Sequence, residues 1–337
     1  MDLDTFLTTL YVLVDDWYKG RIAPTMQRHA GRPAVMSDSE VLTVALAGRW
    51  QVGVPWRSER GLVRYMQKHG RGWFPTMLER SAFNTRTRHL WGAFLQLQQL
   101  AADWLSQADD VYLCVDAKPL PTCTLAQASS RRSHWLGLSQ LGHGGNQRWF
   151  YGDKLLAVVT PRGVITGWLV SSGAVNDRWL MEVLLCCRAG QTEAPGPQPD
   201  PHAAKRDRST APTGTLRHVN AAGQATPCPY IADRNFKSPR WQSHWRDAYG
   251  GTVLTKPRRN EAHDWSPQLL HWFGGLRQIV DTTFARLDTV FGFQHLNAHS
   301  YWGQLTQIAA GCAAYNLGLL FNQWLGRPLG ALATLIC

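Results

Sequence analysis

A chain of 337 residues that is 44% hydrophobic holds enough apolar material for one large buried core or two modest ones, which excludes a disordered tail. Its 35 Lys plus Arg outnumber 24 Asp plus Glu, leaving a net charge of +11 with His neutral. That balance favours a polyanionic partner, with nucleic acid first.

The seven Cys include no CxxC and no Cys/His pair at zinc spacing. They read as free thiols of a reducing cytoplasm rather than as disulfides or a structural zinc site. The opening MDLDTFLTTLYVLVDDWYKG carries acids where a signal peptide needs positive charge, so cytoplasmic residence is expected.

Residues 1–110 read as helices. Leu3, Phe6, Leu7, Leu10 and Val14 form one apolar stripe. Ser37-Asp38-Ser39-Glu40 offers a capping box to the helix running through Val41–Leu46. Further helices are expected over 57–69 and over one long run from Ser81 to Leu105. Within that run SAFNTRTRHLW is a candidate DNA-reading segment, against the plainer reading of a helical packing domain.

The pattern changes at 111. Val111–Val115 is a short apolar strand that runs into Asp116. Tyr151–Thr160 and Gly163–Ser171 read as a hairpin, followed by a helix over 177–188 capped by Asn176. Residues 190–228, rich in Pro, Gly, Ala and Thr, read as a flexible insertion. Pro229–Ala232 is a second strand that ends on an acid, Asp233. A helix near 239–248, a strand Thr252–Thr255 and a helix near 276–291 follow, which together make a mixed α/β pattern. The C-terminal LTQIAAGCAAYNLGLLFNQWL is long enough to span a bilayer. Its Gln and Asn residues, and the helical spacing of Leu305, Ile308, Cys312, Tyr315 and Leu319, point instead to a buried amphipathic helix and no membrane partner.

Asp116 and Asp233 stand at the carboxyl ends of expected strands, where sites gather in open α/β sheets. Each alone reads equally well as a turn or cap residue, but a fold can bring the two together. Asp281 lies at the edge of the apolar stripe of the helix over 276–291, one turn after Arg277. By itself it reads as a solvated partner of Arg277. Three carboxylates without Cys or His suit hard cations, Mg²⁺ or Mn²⁺, and a pair of such ions catalyses phosphodiester cleavage. Lys118, Lys154, Lys237, Lys256, Arg258 and Arg259 cluster near the strand ends, either as phosphate contacts or as ordinary surface charge. Trp149 and Trp302 are candidates for stacking on an unpaired base, with core packing the default for the 16 Trp.

The segments VDAKPLP (115–121), WFYGDKLLAVVTPRGVITGWLVSSGAVNDR (149–178), YIADRNF (230–236), VLTKPRRN (253–260) and LRQIVDTTFARLDTVFG (276–292) resemble, in this order, the bacterial insertion-sequence transposases with an RNase H-like, DDE-type catalytic domain. The resemblance implies an RNase H-like mixed sheet flanked by helices over 111–325, preceded by an all-helical domain over 1–110 and followed by a tail over 326–337. It also implies catalytic, metal-holding acids at Asp116 and Asp233. The pattern Arg-x₃-Glu-x₆-Lys is met by Arg277, but Asp281 replaces the Glu and Asp288 the Lys. Asp281 is then the third ligand and Arg277 a DNA contact. The partners implied are double-stranded DNA, as terminal inverted repeats and target, and further copies of the chain in a dimer or larger assembly on the nucleoid. A catalytically decayed DNA-binding derivative and a stand-alone metal nuclease are the alternatives.

Overall fold

The computed structural model describes residues 1–26, 34–107, 110–128, 135, 138–144, 148–191, 216–220, 228–258 and 260–337. Five helices come first: α1 (Leu3–Trp17), α2 (Asp38–Ala47), α3 (Glu59–His69), α4 (Arg80–His89) and α5 (Trp91–Leu105). Strands and helices then alternate through β1 (Leu113–Cys123), α6 (Leu125–Ala128), β2 (Gln140–His143), β3 (Trp149–Val159), β4 (Ile165–Ser172), α7 (Asp177–Arg188) and β5 (Leu216–Asn220). The chain finishes with β6 (Tyr230–Ala232), α8 (Pro239–Tyr249), β7 (Val253–Thr255), α9 (Pro267–Phe291) and α10 (Tyr301–Trp324). The protein is therefore mixed α/β. It divides into two compact units, Met1–Leu105 with Arg286–Cys337, and Ser106–Ala285.

The second unit is built on a mixed sheet in the order β5-β4-β3-β1-β6-β7, with β2 paired to β3 where β4 ends. β3 runs antiparallel to β1 and β4, whereas β6 is parallel to β1 and β7 parallel to β6. The expected hairpin is present as β3 and β4. Gly163 takes the left-handed backbone (φ 83°) that its turn requires, a conformation cheap only for glycine. Alternation assigns the faces of the sheet. Leu113, Val115, Tyr230 and Ala232 pack with α7 and α8 residues such as Leu184 and Trp245 in one buried cluster. Cys114 and Asp116 point to the opposite face, where the Cys114 thiol donates to Leu276 O of α9 (3.3 Å).

One expectation fails instructively. β1 does not stop at Asp116 but continues to Cys123, paired with β3 through Pro119 and Pro121. Two prolines argue against a strand interior unless their missing N–H groups face an open edge. That condition is met, because Leu113 N donates toward the β6 side (Pro229 O, 2.9 Å). Backbone alternation then aims the nitrogens of residues 119 and 121 to the same side, beyond the end of the short β6. Gly152 opposite Pro121 completes the fit, since a Cβ there would stand 2.2 Å from Leu120 O.

In the first unit the capping box forms as read: Glu40 N donates to Ser37 Oγ (3.2 Å) and Ser37 N to Glu40 Oε2 (2.6 Å). The expected run from Ser81 to Leu105 is broken at Leu90 into α4 and α5. α10 is not amphipathic. It is buried on all sides from Gln304 to Asn322 except at Gln307, because α5, α2 and α4 pack around it. Its asparagines donate inside the core, Asn316 Nδ2 to Gln98 O (3.3 Å) and Asn322 Nδ2 to Leu329 O (2.9 Å), while Asn322 Oδ1 is enclosed without a hydrogen-bond partner among the described residues. Phe6, Trp50, Phe291, Tyr315 and Phe321 form a chain of edge-on rings beside it. Among the described residues no helix is long and apolar enough to cross a membrane.

The units also redraw the expected boundaries. Residues 286–325 group with the N-terminal helices rather than with the sheet, and 326–337 is no separate tail, since Leu332 and Leu335 are buried and Cys337 N donates to Met1 O. The supposed insertion 190–228 falls mostly outside the described residues, but 216–220 forms β5 and pairs with β4.

Candidate functional site

The parallel register of β1 and β6 pairs Val115 with Ala232. The next residue on each strand is an aspartate, so Asp116 and Asp233 stand on neighbouring strands, which lie about 5 Å apart. The two acids, read from the sequence as standing at strand ends that a fold can bring to one place, are neighbours in this register. α9 crosses the same face and supplies Arg277 and Asp281, one turn apart.

Arg277 joins the three acids. Its Nη1 donates to Asp116 Oδ2 (2.8 Å) and lies 3.9 Å from Asp233 Oδ1, while Nη2 lies 3.3 Å from Asp281 Oδ2. The pairing of Asp281 with Arg277 along the helix and its membership of the acidic group are therefore one arrangement. Exposure rises through the set, with side chains 18% exposed at Asp116, 37% at Asp233 and 51% at Asp281.

Burial dominates the electrostatics. It raises the Asp116 carboxyl to about 7, against the opposing pull of Arg277 and the Ala117 N–H, with Asp233 and Asp281 adding to the rise. Burial also works against the charge of Arg277, but Asp116, Asp281 and Asp233 together hold its pKa above the ordinary value. The nearby Cys114 thiol is pushed up to about 12 by burial, so it stays protonated and is no nucleophile. Among the described residues, no three His, Cys, Asp or Glu side chains are arranged to hold a metal ion as they stand. The donor chemistry nonetheless suits a hard divalent cation. A set of three carboxylates that draws in a guanidinium and keeps one member near neutrality is short of positive charge.

The expected phosphate contacts divide. Lys154 Nζ is held by Asp177 Oδ1 (2.9 Å) and Val175 O (3.0 Å), and Lys237 is paired with Glu261. Lys256 Nζ crowds Gly274 of α9, where a Cβ would lie 2.4 Å away. Lys118 is half-buried on β1 and Arg258 is exposed. Arg259 lies outside the described residues. Lys154, Arg178, Arg234 and Arg258 line one concavity of about 500 Å³ beside Asp177. Arg178 and Arg234 were not anticipated there. Asn176 caps α7 as read, accepting from Arg178 N (2.9 Å). Asp288, which stands where the resembled pattern has Lys, belongs to the other compact unit.

Sequence reasoning also missed Glu182. This wholly buried carboxylate of α7 accepts from Tyr249 Oη (2.6 Å) and Trp245 Nε1 (3.0 Å) and lies 3.0 Å from His244 Nε2, all on α8. Its only sequence signal is an acid amid the apolar positions Leu180, Met181, Leu184 and Leu185. No known protein-family model matches the chain, and no curated protein matches it.

Proposed function

We propose that the chain is an insertion-sequence DNA transposase whose α/β unit is an RNase H-like catalytic domain. The observation that carries this reading is the convergence of Asp116, Asp233 and Asp281 on one face of the sheet, tied through Arg277. The sheet supports it as well, with the antiparallel run β5-β4-β3-β1, and β2 paired to β3, continued beside β1 by two parallel strands.

In this reading Asp116, Asp233 and Asp281 hold Mg²⁺, or Mn²⁺ in its place. The metal, when bound, supplies activation of water and of a freed 3′-hydroxyl, and stabilisation of the departing oxygen. The protein residues orient and balance charge. Asp116, buried and close to neutral, gives up its proton when an added positive charge lowers its pKa. Arg277, the residue already facing all three acids, is placed to turn toward a phosphate once its carboxylates are otherwise engaged. Lys154, Arg178, Arg234 and Arg258 offer a basic concavity for the backbone of element ends or target. A homodimer or larger synaptic assembly follows from the need to join two ends, and the site of action is the nucleoid.

A second reading is favoured by one observation, namely that Arg277 already neutralises part of the acidic group. It makes the chain a DNA-binding derivative without catalysis. Labelled element ends incubated with Mg²⁺ or Mn²⁺ decide between them. The transposase reading expects divalent-dependent nicking and strand transfer, lost in Asp116→Asn and in Asp233→Asn while end binding persists. Binding without nicking in the unmutated chain sinks it and leaves the second reading.

A further inference from the structure

We propose that the helical unit carries a separate binding site for unpaired DNA, in a cleft walled by α3 and α4 on one side and by residues 292–300 on the other. The proposal rests on the transposase reading for the identity of the polymer and adds a place and a strand state. It uses none of the acids of the sheet.

The cleft encloses about 1010 Å³ and is lined by Arg49, bonded to Phe291 O, and by four further arginines, Arg57, Arg60, Arg80 and Arg88, against two acids, Glu59 and Asp288. Arg57, Arg60 and Arg80 are exposed. Glu59 is engaged by Asn84 Nδ2 at 2.8 Å. Among the described residues none of the four arginines has an acidic partner. Arg57 donates to Gln51 O, and Arg88 to Asn84 O and Thr85 Oγ1, each at 3.4 Å. Four guanidinium groups facing one concavity repel each other, and an anion relieves that repulsion. Guanidinium is the side chain that best matches phosphate, through paired N–H donors.

A second observation fixes the class of anion. Trp302, next in chain to the lining residue Gly303 and two residues past the lining residue Ser300, is 53% exposed. Its ring lies 5.6 Å from that of Trp91, three residues past the lining residue Arg88, and 5.7 Å from that of Tyr301. The three rings meet at tilted angles, 57–59° between planes, in chain segments that adjoin the arginine-lined cleft without lining it, and leave the Trp302 ring open to solvent. Simple anions and phosphoproteins need no exposed ring beside their phosphate contacts, whereas a nucleobase stacks on one. Duplex DNA keeps its bases stacked inward, so an exposed ring of this kind selects an unpaired strand.

The test uses the full chain in EDTA, which removes any contribution from metal at the acids. Fluorescence anisotropy compares a labelled oligothymidylate of about 16 nucleotides, its duplex and the matching oligouridylate. The proposal expects the single DNA strand to bind tighter than the duplex and at least as well as the RNA. Trp302→Ala should weaken that binding by about tenfold, with Trp302→Phe recovering most of it. A double Arg60→Ala, Arg80→Ala variant should flatten the salt dependence by roughly one to two units. Unfolding midpoints near the unmutated value show that these variants fold. Equal affinity for strand and duplex, preference for RNA, or binding indifferent to both sets of substitutions overturns the proposal. Because binding is read without metal, a chain that fails to nick DNA but shows this pattern refutes the catalytic reading alone.

Discussion

The two compact units bury polarity in opposite ways. The helical unit hides amides: Asn316 and Asn322 on α10 are enclosed, each donating from Nδ2 to a backbone carbonyl. The α/β unit hides charge, with Glu182 wholly enclosed among donors of α8 and Asp116 nearly enclosed beside Arg277. A buried amide needs hydrogen bonds alone, but a buried carboxylate also needs compensating charge or a shifted pKa. Glu182 has its donors in full and serves as structure. Asp116 has a cation shared with two other acids and a carboxyl raised to about 7, the mark of a group arranged for more than stability.

The largest effects that sharpen this contrast fall on activity. If Asp281 completes the acidic group, Asp281→Ala should lower cleavage by at least about a hundredfold, since a ligand is lost outright. Asp281→Glu should keep or raise the rate, the longer side chain restoring the more usual acid. Steady-state rates on labelled ends read both, and unchanged cleavage in the Ala variant removes Asp281 from the site.

Stability effects come next. Leu319→Ala, in the enclosed middle of α10, should cost about 3 kcal/mol by opening a cavity in the helical unit. Glu182→Ala should cost a comparable or slightly smaller amount, about 2–3 kcal/mol, because the Trp245 and Tyr249 donors are left buried without an acceptor. Urea unfolding checks both. A Glu182 variant as stable as the parent would mean that its carboxylate is not structural.

The remaining effects are smaller. Because burial raises Asp116 when folded, the native state keeps a proton that the unfolded chain releases above its ordinary value near 4. The α/β unit should therefore lose stability as pH rises from about 4 to 7, and Asp116→Asn should flatten that loss. Melting curves across this window, without divalent ions, give the comparison. Ser37→Ala should cost about 1 kcal/mol by removing one half of the capping box.

Legibility in the sequence followed the same divide. Asp116 and Asp233 were readable because a charge directly after an apolar run is conspicuous and β1 and β6 bring such positions into register. The capping box and the cap at Asn176 were readable because they are local. β1 beyond Asp116 was not, since whether Pro119 and Pro121 are tolerated depends on the length of a neighbouring strand more than 100 residues away. The full burial of α10 was hidden as well, because the acceptors for the Asn316 and Asn322 amide N–H groups come from elements assembled only in the packed core. The arginines of the cleft had no signature: Arg57 to Arg88 and residues 292–300 meet only through the fold. Arg277 was seen on its helix, but its part in joining three acids appears only when α9 is laid across the sheet.

The central claim, that Asp116, Asp233 and Asp281 act together as one divalent-cation site, is tested most directly by titrating Mn²⁺ into the chain and following the ion's electron paramagnetic resonance signal. Saturable binding is expected that strengthens as pH rises through about 7, where Asp116 loses its proton, and that disappears in Asp116→Asn and in Asp233→Asn. Arg277→Ala should tighten it, because the competing guanidinium is gone. Undiminished binding in both aspartate variants, or no saturable binding in the parent and in Arg277→Ala alike, would contradict the claim.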